Sequence, residues 1–255
     1  MKNNYILTIA GSDILSGGGF QADLAVFSQY RLFAFLAQTC MTSLEQGHLA
    51  VIPTDLTVFN KQLESLADIS FTAIKIGLLP ALDTANGVLD FIKTQTDVKV
   101  VLDPVLVFKE NGDREIADMR DKLLEFFPYT AVITPNLHEA EILSGLSINS
   151  LADMQAAART LHEKGAKRVV IKGGARLDPS AAVDVFYDGE TMLEFTSPLL
   201  DRNNNGAGCT FAASIAAQLA LGRTPAEAAE HAKAFVYQAI AHSNEYGVVQ
   251  YYGKE

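Results

Sequence analysis

Cysteine is scarce in this chain: Cys40 and Cys209 are the only two in 255 residues, and they lie far apart. That spacing is no disulfide framework. Long apolar runs are missing too. No stretch of about 20 apolar residues occurs, so no membrane span is expected. The start, Met1-Lys2-Asn3-Asn4-Tyr5-Ile6-Leu7, lacks the apolar run and cleavage site of a signal peptide, and the expected location is the cytoplasm. Clusters of positive charge are absent: 20 Lys and Arg face 30 Asp and Glu, for a net charge of −10. An acidic surface repels nucleic-acid backbones and anionic lipid. Neither is an expected partner, which leaves a small-molecule substrate. His48, His138, His162, His231 and His242 show no metal-ligand spacing and are expected on the surface or at caps. There is no repeat, low-complexity tract or Pro/Ser-rich linker, so residues 1–255 are expected to form one domain.

What the chain does have is hydrophobic content, 49% of residues, enough for a substantial core. Short apolar runs at Tyr5–Ala10, Ile74–Leu78, Val98–Leu102, Ala131–Ile133 and Arg168–Ile171 read as buried parallel strands. Helical spacing recurs in Leu56, Phe59, Leu63 and Leu66. It returns in Leu151, Met154, Ala158 and Leu161, with Ser150 as N-cap and Gly165 past the end. Thr224-Pro225-Ala226-Glu227 combines a capping box with proline at the first helical position. Cys209–Leu221 is apolar almost all round and should be an inside helix. Val183–Tyr187 and Met192–Thr196, around Asp188-Gly189, read as a hairpin. Alternating strands and helices predict a doubly wound α/β fold, which binds ligands at the carboxyl ends of its strands.

Several segments carry chemistry. Asn205-Gly206-Ala207-Gly208-Cys209 places glycines just before a helix whose first-turn N–H groups suit a phosphate. A glycine-rich connection is the plainer alternative. Cys209, at that helix start, should have a lowered pKa and could accept a proton from a substrate hydroxyl; a small buried cysteine is the alternative. Asn136 and Glu139, three apart in Thr134-Pro135-Asn136-Leu137-His138-Glu139, could hold hydrated Mg²⁺ beside phosphates, or simply cap a helix. Asp103, in Leu102-Asp103-Pro104, ends a strand and faces the ligand crevice, or forms a turn. Lys172 in Ile171-Lys172-Gly173-Gly174 could bind a phosphate, with Gly174 letting a nucleotide approach; a tight turn explains the glycines equally well. Ser12 and Asp23 flank the glycine stretch Gly17-Gly18-Gly19 after the first strand and could bond a polar ligand. Neither G-x-x-x-x-G-K-[ST] nor G-x-G-x-x-G is present, so a P-loop is excluded and a dehydrogenase disfavoured.

Taken in order, these segments run A-G-S-D, S-G-G-G-F-Q-A-D, K-I-G-L-L, V-L-D-P-V, T-P-N-L-H-E-A-E, I-K-G-G and N-G-A-G-C-T-F-A-A. The set resembles the ribokinase superfamily. Within it, the chain is similar to the bacterial pyridoxine/pyridoxal kinases of the hydroxymethylpyrimidine kinase-like branch. The resemblance implies a three-layer fold with a central, mostly parallel sheet, helices on both faces and a small lid. It implies ATP-dependent phosphorylation of the hydroxymethyl group of a vitamin B6 form, with Mg²⁺, and admits a monovalent cation. Cys209 matches the family's catalytic residue and Gly206, Ala207 and Gly208 its anion hole. Asn136 and Glu139 match the motif that organises Mg²⁺ and phosphate, with Asp103 as a second metal carboxylate. Lys172, Gly174 and Lys233 match nucleotide contacts. Ser12, Asp23, Gly77, Leu78 and Val107 match the vitamin pocket. A homodimer is implied. Asn205 stands where related kinases often carry histidine, and Phe108 where some carry a second cysteine. Leu44 stands near a glutamine that pyrimidine kinases set against their substrate. The rival expectations are a hydroxymethylpyrimidine or hydroxymethylpyrimidine-phosphate kinase, and a non-catalytic nucleotide- or vitamin-binding protein.

Overall fold

The computed structural model describes residues 4–46, 48–106 and 113–250. Ten strands and eight α-helices are named among them: β1 (Tyr5–Ala10), α1 (Gly19–Gln29), β2 (Phe33–Gln38), β3 (Cys40–Glu45), β4 (His48–Pro53), α2 (Leu56–Leu66), β5 (Ala73–Ile76), α3 (Leu82–Thr94), β6 (Lys99–Leu102), α4 (Asp113–Leu124), β7 (Val132–Ile133), α5 (Leu137–Ser144), α6 (Leu151–Glu163), β8 (Val169–Lys172), β9 (Ala181–Tyr187), β10 (Met192–Pro198), α7 (Ala207–Ala220) and α8 (Pro225–Ala241). The main sheet has eight strands in the order β10-β9-β8-β7-β6-β5-β1-β2. Neighbours from β8 to β2 pair parallel, and β9 and β10 pair antiparallel at one edge. β3 and β4 form a separate two-stranded hairpin, the lid.

Helices cover both faces. Phe59, Val88, Leu137, Met154 and Leu161, from α2, α3, α5 and α6, share one apolar cluster with Leu7, Ile9, Ile74 and Ile76 of the sheet. Val26, Phe211, Ile215, Ala229 and Val236, from α1, α7 and α8, share another with Ile6, Ala73, Val101, Val132 and Val170. This is the expected three-layer α/β arrangement. The strand residues sort by parity because successive side chains leave a strand on opposite faces. α7 is buried from Thr210 to Ala220. Its alanines at 212, 213, 216, 217 and 220 carry little bulk, so the helix can settle close to α1, α8 and the sheet.

The caps follow the sequence. Ser150 caps α6, and Thr224 with Glu227 forms a capping box ahead of Pro225. The expected strand at Ile74–Leu78 stops at Ile76, although the Gly77 N–H still reaches the Ile9 carbonyl. A lid was expected but its strands were not placed, and β2, α1, α3 and α4 were not anticipated as elements. His162 departs from the surface expectation: its ring stands edge-on against Tyr187.

Candidate active site

On the α7 side of the sheet, apolar residues give way to polar ones toward the strands' carboxyl ends. Ile6 is followed two positions on by Thr8, Ala73 by Lys75, Val101 by Asp103, Val132 by Thr134 and Val170 by Lys172. Asp184 lies opposite Lys172 on the antiparallel β9. Buried polar groups must pair, and these do. Thr8 Oγ1 and Lys75 Nζ both donate to Asp23 Oδ2, at 2.6 and 2.9 Å. Lys172 Nζ and Thr134 Oγ1 donate to Asp103 Oδ1 at 2.9 and 3.2 Å. Lys233, from α8, pairs with Asp184 at 2.9 Å, and the Gly173 N–H donates to the same carboxylate. Burial works against the charge on Asp103, but Lys172 and Lys75 hold its carboxyl below the usual range.

Two helix starts meet above this row. Gly206 caps α7 with φ +86°, and a Cβ there would drive into the Gly17 carbonyl. Gly18 caps α1. A Cβ on Gly18 would lie 3.4 Å from the Gly206 Cα and 3.7 Å from Cys209 Sγ. At 206 only glycine lets the backbones approach so closely, whereas at 18 a Cβ would make ordinary contacts. The Asp13 carboxylate fixes the first loop by accepting the Gly18 N–H at 2.7 Å and the Leu15 N–H at 3.0 Å. The Ala207 N–H, expected in the anion hole, is taken by the Asn204 carbonyl at 3.0 Å, so the N–H groups of Gly208 and Cys209 are the ones that open on a cradle of suitable polarity for an anion.

Cys209 sits in the first turn of α7 and is partly exposed. The expected depressed thiol pKa is not what the structure shows. Burial pushes Cys209 up to about 11, outweighing the nearby Lys75 cation and a hydrogen bond from the Gly19 N–H, while Asp103 and Asp23 add to the rise. The thiol is therefore protonated in the free protein at neutral pH. Cys40 is buried, as expected, and burial raises it to about 11 as well.

A cleft of about 510 Å³ opens on one side of the cradle, within the range of small-molecule sites. Asn136, Lys172, Gly174, Ala207, Gly208 and Lys233 all line it. The structure thus brings the expected nucleotide contacts together. The lysines are not free, however, since Asp103 and Asp184 hold them. Asn136 and Glu139 form a reciprocal capping box on α5, at 2.9 and 2.7 Å, so the capping alternative holds as well. Glu139 is pushed up to about 7 by burial, against the pull of Lys172. Hydrogen bonds from the Asn136 and Leu106 N–H groups offset part of the cost of burying this carboxylate, which lies behind the cleft and does not line it. Among the described residues no group of three or more His, Cys, Asp or Glu could hold a metal.

Ser12, Gly77 and Leu78 are absent from that cleft's lining; Ser12 and Leu78 gather near Cys40, whereas Gly77 packs against Lys75 and Ala10. The Ser12 N–H donates to the Cys40 carbonyl, and Thr39 Oγ1 donates to the Leu78 carbonyl at 2.7 Å. The Ser12 hydroxyl accepts from Gln21 at 2.8 Å. Asp23 corrects its expectation: it is 0% exposed and locked to Thr8 and Lys75. It lies beneath the site and does not line it. Val107 and Phe108 lie outside the described residues. Lys75, Asp184 and Asp13 were missed. The signal for the first two was a charge inside an otherwise apolar strand, in A-I-K-I and A-A-V-D-V-F-Y.

A family model described as phosphomethylpyrimidine kinase matches residues 13–254. The chain is 38% identical over 250 residues to the pyridoxine kinase of Bacillus subtilis (strain 168), covering 95% of this chain and 92% of that protein. It is 35% identical over 241 residues to the hydroxymethylpyrimidine/phosphomethylpyrimidine kinase of the same organism, covering 92% and 88%. The solved pyridoxal kinase of Staphylococcus aureus in complex with AMP-PCP and pyridoxal superposes with a TM-score of 0.91 at 36% identity, covering 98% of this chain and 94% of that one.

Proposed function

The chain belongs to the phosphomethylpyrimidine kinase family, and from that premise we propose that it transfers the γ-phosphate of ATP to the hydroxymethyl group of a vitamin B6 form. One observation carries the reading. The α7 cradle lines a cleft with Lys172, Gly174 and Lys233, and on its other side Cys209 abuts the Gly18 loop, which leads to a polar shelf at Ser12 and Leu78. A nucleotide in the cleft and an alcohol on the shelf would meet at Cys209.

Phosphoryl transfer is mainly positioning and charge neutralisation. The Gly208 and Cys209 amides aim at the charge on the transferring group, while the Ala207 N–H stays on the Asn204 carbonyl and shapes the turn. Lys172 turns from Asp103 toward phosphate when nucleotide arrives, and Lys233 contacts the nucleotide from α8. Glu139 and Asp103 would hold Mg²⁺, partly through water, and the ion would neutralise phosphate oxygens. Cys209 accepts the alcohol proton. Because the thiol is held near 11, its basic form is a minority at neutral pH. Only that thiolate form can take the alcohol proton, so turnover draws on the minority species. The reading carries with it the expected cytoplasmic homodimer. No helix among the described residues is long and apolar enough to cross a membrane.

A hydroxymethylpyrimidine kinase is the second reading, favoured by the family description and the Bacillus subtilis relative. Against it stands Leu44, on the lid and 51% exposed, which offers no amide to a pyrimidine. Steady-state kinetics on pyridoxal, pyridoxine and hydroxymethylpyrimidine decide between them. The B6 alcohols should win in kcat/KM by about tenfold or more. A pyrimidine preference would overturn the assignment. ATP hydrolysis without any vitamer dependence would point to a protein that has lost transfer.

A further inference from the structure

We propose that the segment Asn244–Gln250 is a positioning strap for the anion cradle, with Gln250 as its key side chain; this rests on the kinase reading above. Three stretches distant in sequence interlock here. The Val248 N–H donates to the Asn205 carbonyl at 3.0 Å. The Asn205 side-chain amide donates to the Tyr246 carbonyl at 3.0 Å. Asn203 donates to the carbonyls of Asn244 and Glu245 at 3.1 and 3.0 Å. Asn244 folds the strap into a tight turn, accepting the N–H groups of Tyr246 and Gly247 at 2.9 and 3.1 Å. Gly247 then presses into the joint: a Cβ there would lie 2.7 Å from the Gly17 Cα and 2.8 Å from the Asn205 carbonyl oxygen. The Val249 N–H donates to the Ala239 carbonyl at 3.1 Å, fastening the strap to α8.

Gln250 closes the arrangement. Its side chain is buried, and its amide donates to the Gly17 carbonyl at 3.2 Å and to Thr210 Oγ1 at 3.1 Å. Gly17 belongs to the loop before α1. Thr210 follows Cys209 in α7. One amide therefore stitches together the two glycine-rich loops that form the cradle. Those loops have little rigidity of their own, because glycine restricts the backbone least. A site that must hold charge in the transition state needs such outside support. The strap also accounts for Asn205. It needs a neutral side-chain donor for the Tyr246 carbonyl, and an amide provides one at any pH.

Gln250→Leu keeps roughly the volume and removes both donors. It should lower kcat by about tenfold or more through misplacement of the cradle, while ADP affinity and KM for the alcohol stay close to wild type and the melting temperature falls only by a few degrees, from the buried acceptors left unpaired. A kcat within about twofold of wild type would overturn the proposal. So would a parallel fall of kcat, ADP affinity and melting temperature, the mark of a merely structural tie. If Gln250→Leu does not fold, Asn205→Asp, which replaces the donor facing Tyr246 with an acceptor, is read by the same criteria. Turnover is scored on whichever alcohol the wild type phosphorylates best, so a pyrimidine preference defeats the substrate reading and leaves this test intact. If the wild type phosphorylates none, the kinase reading fails, and iodoacetamide alkylation of Cys209 decides the strap. Gln250→Leu should then react about threefold faster or more, as a loosened cradle exposes the thiol, and an unchanged rate would overturn the proposal.

Discussion

At Cys209 two effects oppose each other. The start of α7, the Gly19 N–H and the Lys75 cation favour a thiolate; removal from water opposes it and wins, leaving the thiol near 11. The sequence shows the helix start but not how deep in the protein it lies. The consequence is a pH signature. If Cys209 accepts the proton, kcat/KM should climb with pH by close to tenfold per unit from about pH 7 toward 10, since the free enzyme's base is being generated. Cys209→Ala should lose about two to four orders of magnitude in turnover and also lose that slope. Stopped assays across this range, with the pH stability of each protein checked, make the measurement. A level wild-type profile, or near-wild-type turnover in Cys209→Ala, would remove Cys209 from the chemistry.

At the scale of elements, α7 depends on a start that only glycine provides. Gly206 and Gly222, just past the other end of the helix, both have positive φ, at +86° and +89°. Their surroundings differ: a Cβ at 222 meets nothing within 4 Å, whereas one at 206 meets the Gly17 backbone. Gly222→Ala should therefore cost only the left-handed penalty, about 1–2 kcal/mol. Gly206→Ala must also push the α1 loop away, so at least about twice that loss is expected, together with about a hundredfold loss of kcat. Urea denaturation and steady-state kinetics read the two effects, and equal costs at both positions would sink the packing account. α7 was legible because its apolar run, glycines and cap obey local rules. The β5–β8 core strands were legible for the same reason, to within a residue or two at each end. The strands of the lid were not: Cys40–Glu45 mixes apolar and polar residues without a clean period, and the short apolar run Leu49–Ile52 belongs to a hairpin that stands apart from the main sheet. α1 was hidden by the glycines that open it. The tie from Gln250 to Gly17 joins opposite ends of the chain, and no local pattern encodes such a contact.

Across the whole molecule, the polar row converts a stack of strands into a site and places charge in its middle. Asp23 and Lys75 are both 0% exposed, and Asp23 Oδ1 has no hydrogen-bond partner. Burial lowers the Lys75 pKa, but Asp23, Cys209 and Asp103 together hold it above its ordinary value, so the ammonium stays charged. Such a pair is weak as a source of stability, yet breaking it strands a charge. Lys75→Met should cost about 3–5 kcal/mol in urea denaturation, and Asp23→Leu combined with Lys75→Met should recover most of that loss. Additive losses would show that the two residues act through packing and not through their charges. The pair also bears on chemistry, because Lys75 pulls the Cys209 thiol down while Asp23 pushes it up. Lys75→Met should therefore move the alkaline rise in kcat/KM to higher pH, and the double variant should move it part of the way back. A double variant as stable as the wild type that keeps the shifted profile of Lys75→Met would assign the lysine to catalysis alone. Recovery of both properties together would make Asp23–Lys75 the point where the stability of the sheet and the basicity of its active thiol are set by the same ion pair.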